Sequence, residues 1–315
     1  MNNRRAFIVG LKSLILTKQE KSFLKKYRPW GIILFSRNIQ TIKQTRKLTD
    51  SIKKIFNDKN YPILIDQEGG RVNRLKNIIL FDNLTSEFYG NLYKRDKKKF
   101  HAYYQLFVDR TCHLLKNIGV NINTVPVLDL RYKNASSVVG DRSFSNDKKI
   151  VSRLGNVCIN LFHKNLIGTI MKHIPGHGLA KVDSHNFTPV VDESIKYLIK
   201  NDFYTFKNKK SFFAMTAHII YKSLDPVNTV THSKKMINFI RNKIGFKNIL
   251  ISDDLSMKSL KDNIKTSTIK AFEAGCNIVL HCNANLKEME IIANNSPLVD
   301  RFIIKKTSQF YKILS

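Results

Sequence analysis

Gly168-Thr169-Ile170-Met171-Lys172-His173 is an apolar run of strand character that passes directly into Ile174-Pro175-Gly176-His177-Gly178-Leu179-Ala180-Lys181-Val182-Asp183-Ser184-His185. From Lys172 onward this stretch holds three histidines, two lysines and an aspartate, an odd content for a purely structural loop. The same change recurs along the chain. Ile63-Leu64-Ile65 runs into Asp66-Gln67-Glu68-Gly69-Gly70-Arg71, Ile249-Leu250-Ile251 runs into Ser252-Asp253-Asp254, and Met215-Thr216-Ala217-His218 ends in the same way. Reactive side chains delivered again and again at strand C-termini fit a barrel of parallel strands, because sites of that architecture form on that face.

Strand-like and helix-like segments alternate from end to end, which predicts an α/β fold with a parallel sheet. Eight strand candidates stand out: Phe7–Leu11, Gly31–Phe35, Pro62–Asp66, Asn123–Leu128, Gly168–His173, Phe212–His218, Asn248–Ser252 and Asn277–His281. Between them, Thr17-Lys18-Gln19-Glu20 has the T-x-x-E form of a capping box and opens a helix ending near Pro29. Ser233 precedes Met236, Ile237, Ile240 and Ile244 at helical spacing, closed by Gly245, and Leu260–Ala274 ends likewise at Gly275. The expectation is a single, slightly irregular (β/α)8 TIM barrel, with residues 1–315 forming one catalytic domain. An open doubly wound sheet is the structural alternative, but no Gly-rich dinucleotide fingerprint follows any strand.

Composition sets the outer bounds. The 315 residues are 43% hydrophobic, enough for a large core, and no apolar run approaches the length of a membrane span. Asn2-Asn3-Arg4-Arg5 before Ala6–Leu11 imitates a secretory leader, yet Lys12 interrupts the apolar stretch and no small-residue cleavage site follows. Cys112, Cys158, Cys276 and Cys282 form no C-x-x-C pair, so neither zinc nor a disulfide framework is expected and a reducing cytoplasm fits. The formal charge of +30 invites a nucleic-acid reading. Its positive residues are dispersed, however, and the densest run, Lys94–Lys99, falls in a helix-like segment where a solvated face is the ordinary reading. Lys far outnumbers Arg, as A/T-rich codons alone would produce, and no nucleic-acid-binding module is recognisable.

Asp183 stands two residues from His185, where an extended segment lets the carboxylate accept a ring N–H, fix the tautomer and stabilise the imidazolium. The other ring nitrogen is then free for acid/base work. Of Asp253 and Asp254, strand alternation turns one toward the barrel mouth and the other away as a brace. His177 either shapes its loop or acts in the site, and His218 either faces the sugar or is a satisfied interior histidine, the latter being the favoured reading. Cys276 and Cys282 read as packing residues. No H-E-x-x-H or similar spacing supports a metal centre.

These segments resemble the glycoside hydrolase family 3 β-N-acetylhexosaminidases, in particular the short bacterial type that recycles peptidoglycan. The likeness is carried by Gly31–Asn38, Ile65–Arg74, Pro126–Asp129, Gly140–Phe144, the Lys172–Gly178 and Asp183–His185 element, Met215–His218, Gly245-Phe246, Ser252–Met257 and Ala274–Leu280, in family order over nearly the whole chain. The resemblance implies a cytoplasmic barrel enzyme that releases N-acetylglucosamine from β-linked anhydro-muropeptides, without cofactor, metal, membrane or nucleic acid, and as a monomer. It implies Asp253 as nucleophile and His185 as general acid/base oriented by Asp183. Asp66, Arg74, Arg142, Lys172 and His173 would hold the sugar. Two departures accompany it: Leu75–Leu84 lacks the proline common after this motif, and Asn277 stands where an aspartate is usual. Other readings are a barrel hydrolase or phosphorylase of another glycoside, and a basic nucleic-acid-binding protein.

Overall fold

The computed structural model describes Met1 and residues 3–314; Asn2, in the leader-like segment, and Ser315, the last residue of the expected domain, lie outside the described residues. Eight strands form the barrel: β1 Arg5–Gly10, β2 Pro29–Leu34, β3 Ile63–Ile65, β4 Ile122–Asn123, β5 Gly168–Ile174, β6 Phe213–Thr216, β7 Ile249–Asp254 and β8 Ile278–His281. Each pairs in parallel with the next and β8 returns to β1, so the sheet closes without an edge. Representative registers are Ile32 opposite Ile63, Ile122 opposite Gly168, and Phe7 opposite Val279. This is the (β/α)8 barrel expected from the alternation.

Strand positions agree with the sequence reading more closely than strand ends. The fourth candidate, Asn123–Leu128, is the main correction: the ladder covers only Ile122–Asn123. Pro126 follows and has no N–H to give to a ladder. Beyond it the chain meets β5 through Lys172 N–H to Pro126 O (3.0 Å) and Leu128 N–H to Lys172 O (2.8 Å). The sixth candidate shortens to Phe213–Thr216, whereas β7 runs on through both aspartates. A two-stranded ribbon of Val190–Val191 and Ile220–Tyr221 was not anticipated.

Local helix signals worked by their usual chemistry. Thr17 Oγ1 accepts from Glu20 N at 3.0 Å while Glu20 Oε2 accepts from Thr17 N at 2.8 Å, and the helix Lys18–Tyr27 stops before Pro29. Ser233 caps Lys234–Phe239, which widens to a π turn over Ile240–Ile244 before Gly245. The helix expected from Leu260 starts only at Ile264, because Asn263 takes the cap position and accepts from Thr266 N at 2.9 Å. The Lys94–Lys99 run does not lie in one helix: Asp96 ends Ser86–Arg95 and caps Lys97–Asn117.

Alternation divides each strand between two cores. Ile8, Ile33, Leu64, Ile170, Phe213, Ile249, Ile251 and Ile278 belong to the inner cluster, whereas Phe7, Val9, Ile32, Ile63, Met171, Ala214 and Leu250 pack outward with the helices. The inner cluster also includes Val299, Ile303 and Phe310, in and before the helix Arg301–Tyr311. That helix closes the N-terminal end of the barrel. The Trp30 indole donates to Thr307 Oγ1 at 3.0 Å, and the Phe310 ring packs edge-on to Phe213 at 5.3 Å. A Cβ at Gly168, the first residue of β5, would lie 2.6 Å from the Phe310 ring, so the fit of this plug requires glycine there. Phe310→Ala should therefore destabilise the fold by about 3–5 kcal/mol through lost burial and a residual cavity, read as a lowered urea midpoint.

Candidate active site

At the opposite end, the strand C-termini surround a cavity of about 420 Å³. Its floor is a buried cluster of opposite charges. Lys172 continues the inward parity of Ile170 and places Nζ 2.6 Å from Glu68 Oε1 and 3.3 Å from Asp66 Oδ1, with Thr124 Oγ1 at 2.9 Å. Arg142 grips Glu68 with two parallel hydrogen bonds of 2.8 Å, from Nε and Nη2. Arg74 Nη2 reaches Asp66 Oδ2 at 3.4 Å, and Thr124 donates to the other Asp66 oxygen. Burial works against the charged form of both carboxylates, but the facing cations outweigh it. Lys172 and Arg74 hold Asp66 well below the carboxylate range, while Arg142 and Lys172 bring Glu68 down to about 2.

One wall comes from β7. Asp253 continues the inward parity of Ile249 and Ile251 and lines the cavity. Burial opposes its ionisation, yet His173, His218, the Asp254 N–H and Lys172 keep its carboxyl below the ordinary value. Asp254 also reaches the cavity lining, but its oxygens are occupied, accepting from Ser256 N (3.0 Å), Ser256 Oγ (2.8 Å) and Cys282 N (3.2 Å), which is the expected bracing role. His218 is buried with both nitrogens engaged, by Thr231 Oγ1 at 2.7 Å and Asp254 O at 3.1 Å, in agreement with the interior reading.

The end of β5 and the loop after it supply the histidines. Asp129 is buried and accepts from His173 Nδ1 at 2.7 Å and from the His177 N–H at 2.7 Å, so one carboxylate orients a residue of β5 and a residue of the loop that follows. The Asp183 Oδ1 atom accepts from the His185 N–H at 2.9 Å and lies 2.7 Å from His185 Nδ1. The local D-x-H inference is thus realised as a contact. The His185 side chain is 63% exposed, in contrast to 3% for Lys172, so the pair sits at the rim above a buried floor.

All eight residues singled out from the sequence, Asp66, Arg74, Arg142, Lys172, His173, Asp183, His185 and Asp253, line this one cavity. Reasoning from sequence missed Glu68 and Asp129, both present in the quoted motifs but given no role. Their partners lie 74 and 44 residues away, and the only local signal was a carboxylate just past an apolar strand. Cys282 does more than pack, since it lines the cavity, whereas Cys276 is buried away from it with its thiol pushed up to about 12 by burial. Asn277 Oδ1 accepts from Leu250 N at 2.9 Å and Arg241 Nη2 at 2.7 Å, the acceptor work an aspartate would do.

Paired carboxylates and cations that match sugar hydroxyls, beside a carboxylate and an oriented histidine at a barrel mouth, define a barrel enzyme of the glycoside-cleaving class. The sequence profile of the glycosyl hydrolase family 3 N terminal domain matches residues 9–307. A β-hexosaminidase of Neisseria meningitidis serogroup C is 33% identical over 311 residues, 95% of this chain and 85% of that protein. Native NagZ from Neisseria gonorrhoeae superposes with a TM-score of 0.88 at 28% identity, covering 98% of this chain and 90% of that one. The same enzyme has a structure in complex with N-trifluoroacetyl-D-glucosamine, with a TM-score of 0.87. The chain belongs to glycoside hydrolase family 3. No helix among the described residues is long and apolar enough to cross a membrane.

Removing Glu68 leaves Arg142 and Lys172 buried without one of their carboxylates, so Glu68→Ala should cost about 3–5 kcal/mol in denaturant unfolding at pH 7. The pH dependence has a definite sign. A carboxyl held at about 2 rather than its ordinary 4.5 contributes stability that is complete above about pH 4.5 and is lost as the pH falls toward 2. The acid limb of the stability profile should accordingly be shallower in Glu68→Ala than in the parent chain.

Proposed function

We propose that this family 3 enzyme is a retaining exo-β-N-acetylglucosaminidase that removes N-acetylglucosamine from β-1,4-linked anhydro-muropeptides in cytoplasmic peptidoglycan recycling. In this reading residues 1–315 act as one catalytic domain and as a monomer. The observation that carries it is the contact of Asp183 with His185 Nδ1 at the rim of the cavity that Asp253 lines. The names of the relatives, β-hexosaminidases and an enzyme crystallised with an N-acylated glucosamine, support the choice of sugar.

The chemistry follows from the roles available. Asp253 has its carboxyl held below the ordinary value and faces the cavity half-buried, which suits an ionised nucleophile. It attacks the anomeric carbon while protonated His185 gives its Nε2 proton to the departing glycosidic oxygen, forming a covalent glycosyl-enzyme. His185, now neutral, takes a proton from water, which attacks the same carbon and releases Asp253. Two displacements leave the configuration unchanged. Most retaining glycosidases place a carboxylic acid where His185 stands here. Asp183 supplies the missing negative charge one step removed, stabilising the imidazolium without itself receiving the proton. Asp66, Arg74, Lys172, His173 and the Glu68-braced Arg142 would hold the hydroxyls and the N-acetyl group.

Incubation with a defined GlcNAc-anhydroMurNAc-peptide, followed by product analysis, should give free GlcNAc of retained β configuration. An inverted product would refute the double displacement, and GlcNAc 1-phosphate formed in phosphate buffer would make the enzyme a phosphorylase. Asp253→Ala and His185→Ala should each lower kcat on that substrate by about 10²–10⁴-fold or more. Activity that disappears with a chelator would contradict the metal-free scheme.

A further inference from the structure

The loop that bears Asp183 and His185 is exposed at almost every position. In the run 181–187 only Ser184 is buried, at 2% exposure, and it lies between the two members of the dyad. Its hydroxyl is 3.0 Å from Nε2 of His177, itself buried at 3%. His177 is fixed from below by its backbone N–H on Asp129 Oδ1, and its ring meets the His173 ring edge-on at 5.3 Å. Asp129 Oδ2 in turn holds His173 Nδ1. A continuous path of hydrogen bonds therefore runs from the wall carrying His173, through Asp129 and His177, to the residue between Asp183 and His185.

We infer that His177 is a positioning residue: its imidazole latches Ser184 and so sets the Asp183–His185 pair over the cavity. This role rests on the assignment of His185 as the acid/base. His177 is joined to the pair through Ser184, so the latch acts by placement. Burial, followed by the neighbouring His173, pushes the His177 ring down to about 4 and leaves it neutral, which lets it share a hydrogen with a hydroxyl without adding a second positive charge beside His185. The second ring nitrogen, Nδ1, is buried and has no partner among the described residues. An unpaired buried acceptor is tolerated better than an unpaired buried N–H, which favours the tautomer with the hydrogen on Nε2, donated to Ser184 Oγ. Joining the loop to Asp129 also makes the placement of the acid depend on the residue that orients His173, so that sugar contact and acid position are set together.

The test uses a series of aryl β-N-acetylglucosaminides whose leaving groups range from dinitrophenol to phenol. A misplaced general acid matters little for a good leaving group and greatly for a poor one. Ser184→Ala should leave kcat/KM for the dinitrophenyl substrate within about threefold of the parent while lowering that for the phenyl substrate by about 10²-fold, toward the full effect of a lost general acid. His177→Ala should behave alike, the double variant should be no worse than either single one, and His177→Gln, which keeps a donor near the Nε2 position, should recover most of the loss. Ser184→Ala should remain folded with a modestly lowered unfolding temperature, because it takes the acceptor from a buried His177 N–H; the retained kcat/KM on the dinitrophenyl substrate reports that the site itself is intact. An equal loss on every substrate, or no loss on any, would overturn the latch. His185→Ala is run alongside: a flat leaving-group dependence in that variant would remove the acid/base assignment itself, whereas a steep one with Ser184→Ala unaffected would remove only the latch.

Discussion

Lys172 is the constraint around which the mouth of the barrel is organised. A buried ammonium is costly unless opposite charge and hydrogen bonds surround it. Here Glu68 and Asp66 flank it, Thr124 takes a further hydrogen, and Arg142 and Arg74 complete the balance around the two carboxylates. These groups come from four segments, Asp66, Glu68 and Arg74 from the one after β3, so charge pairing aligns the end of β3, the segment after β4, the 140–142 turn and β5 at once. The lining of the cavity contains five carboxylates against four Lys and Arg side chains, in a chain that carries +30 overall. The surplus positive charge therefore belongs to the outer shell and not to the site, where near-neutrality is what permits burial.

The fold was legible in the sequence because barrel strands have a strict local signature: three to six apolar residues followed by polar ones at the C-terminal end. The Ile63-Leu64-Ile65-Asp66 and Ile249-Leu250-Ile251 patterns located β3 and β7 within a residue or two. Where the local signal misled, a second local rule was at work. Asn123–Leu128 has strand-like composition, but Pro126 stops the ladder, and Asn263 shifts a helix start four residues from where apolar spacing put it.

The site divides in the same way. The Asp183–His185 contact spans two residues and could be read directly from D-x-H, and the inward turn of Asp253 followed from alternation along β7. Glu68 and Asp129 could not be given work from the sequence, since what each does is defined by Arg142, Lys172, His173 and His177, brought near only by closure of the sheet. Family resemblance supplied the set proposed to face the sugar; it did not reveal that Arg142 spends its fork on Glu68 and so presents a braced, not a free, guanidinium.

The plug at the N-terminal end of the barrel has a consequence for biosynthesis. β1 finds one of its two neighbours only in β8, and the inner core is complete only with Val299, Ile303 and Phe310. Until those residues leave the ribosome, β1 keeps an unpaired edge and Trp30, Phe213 and their neighbours lack their cover. Such long-range closure is slow and exposes apolar surface while it is pending. The nascent chain thus carries all of its cavity-forming strands before it can hold them in a ring, which makes the last fifteen or so positions of the barrel a commitment step for a protein whose cavity lies at the far end.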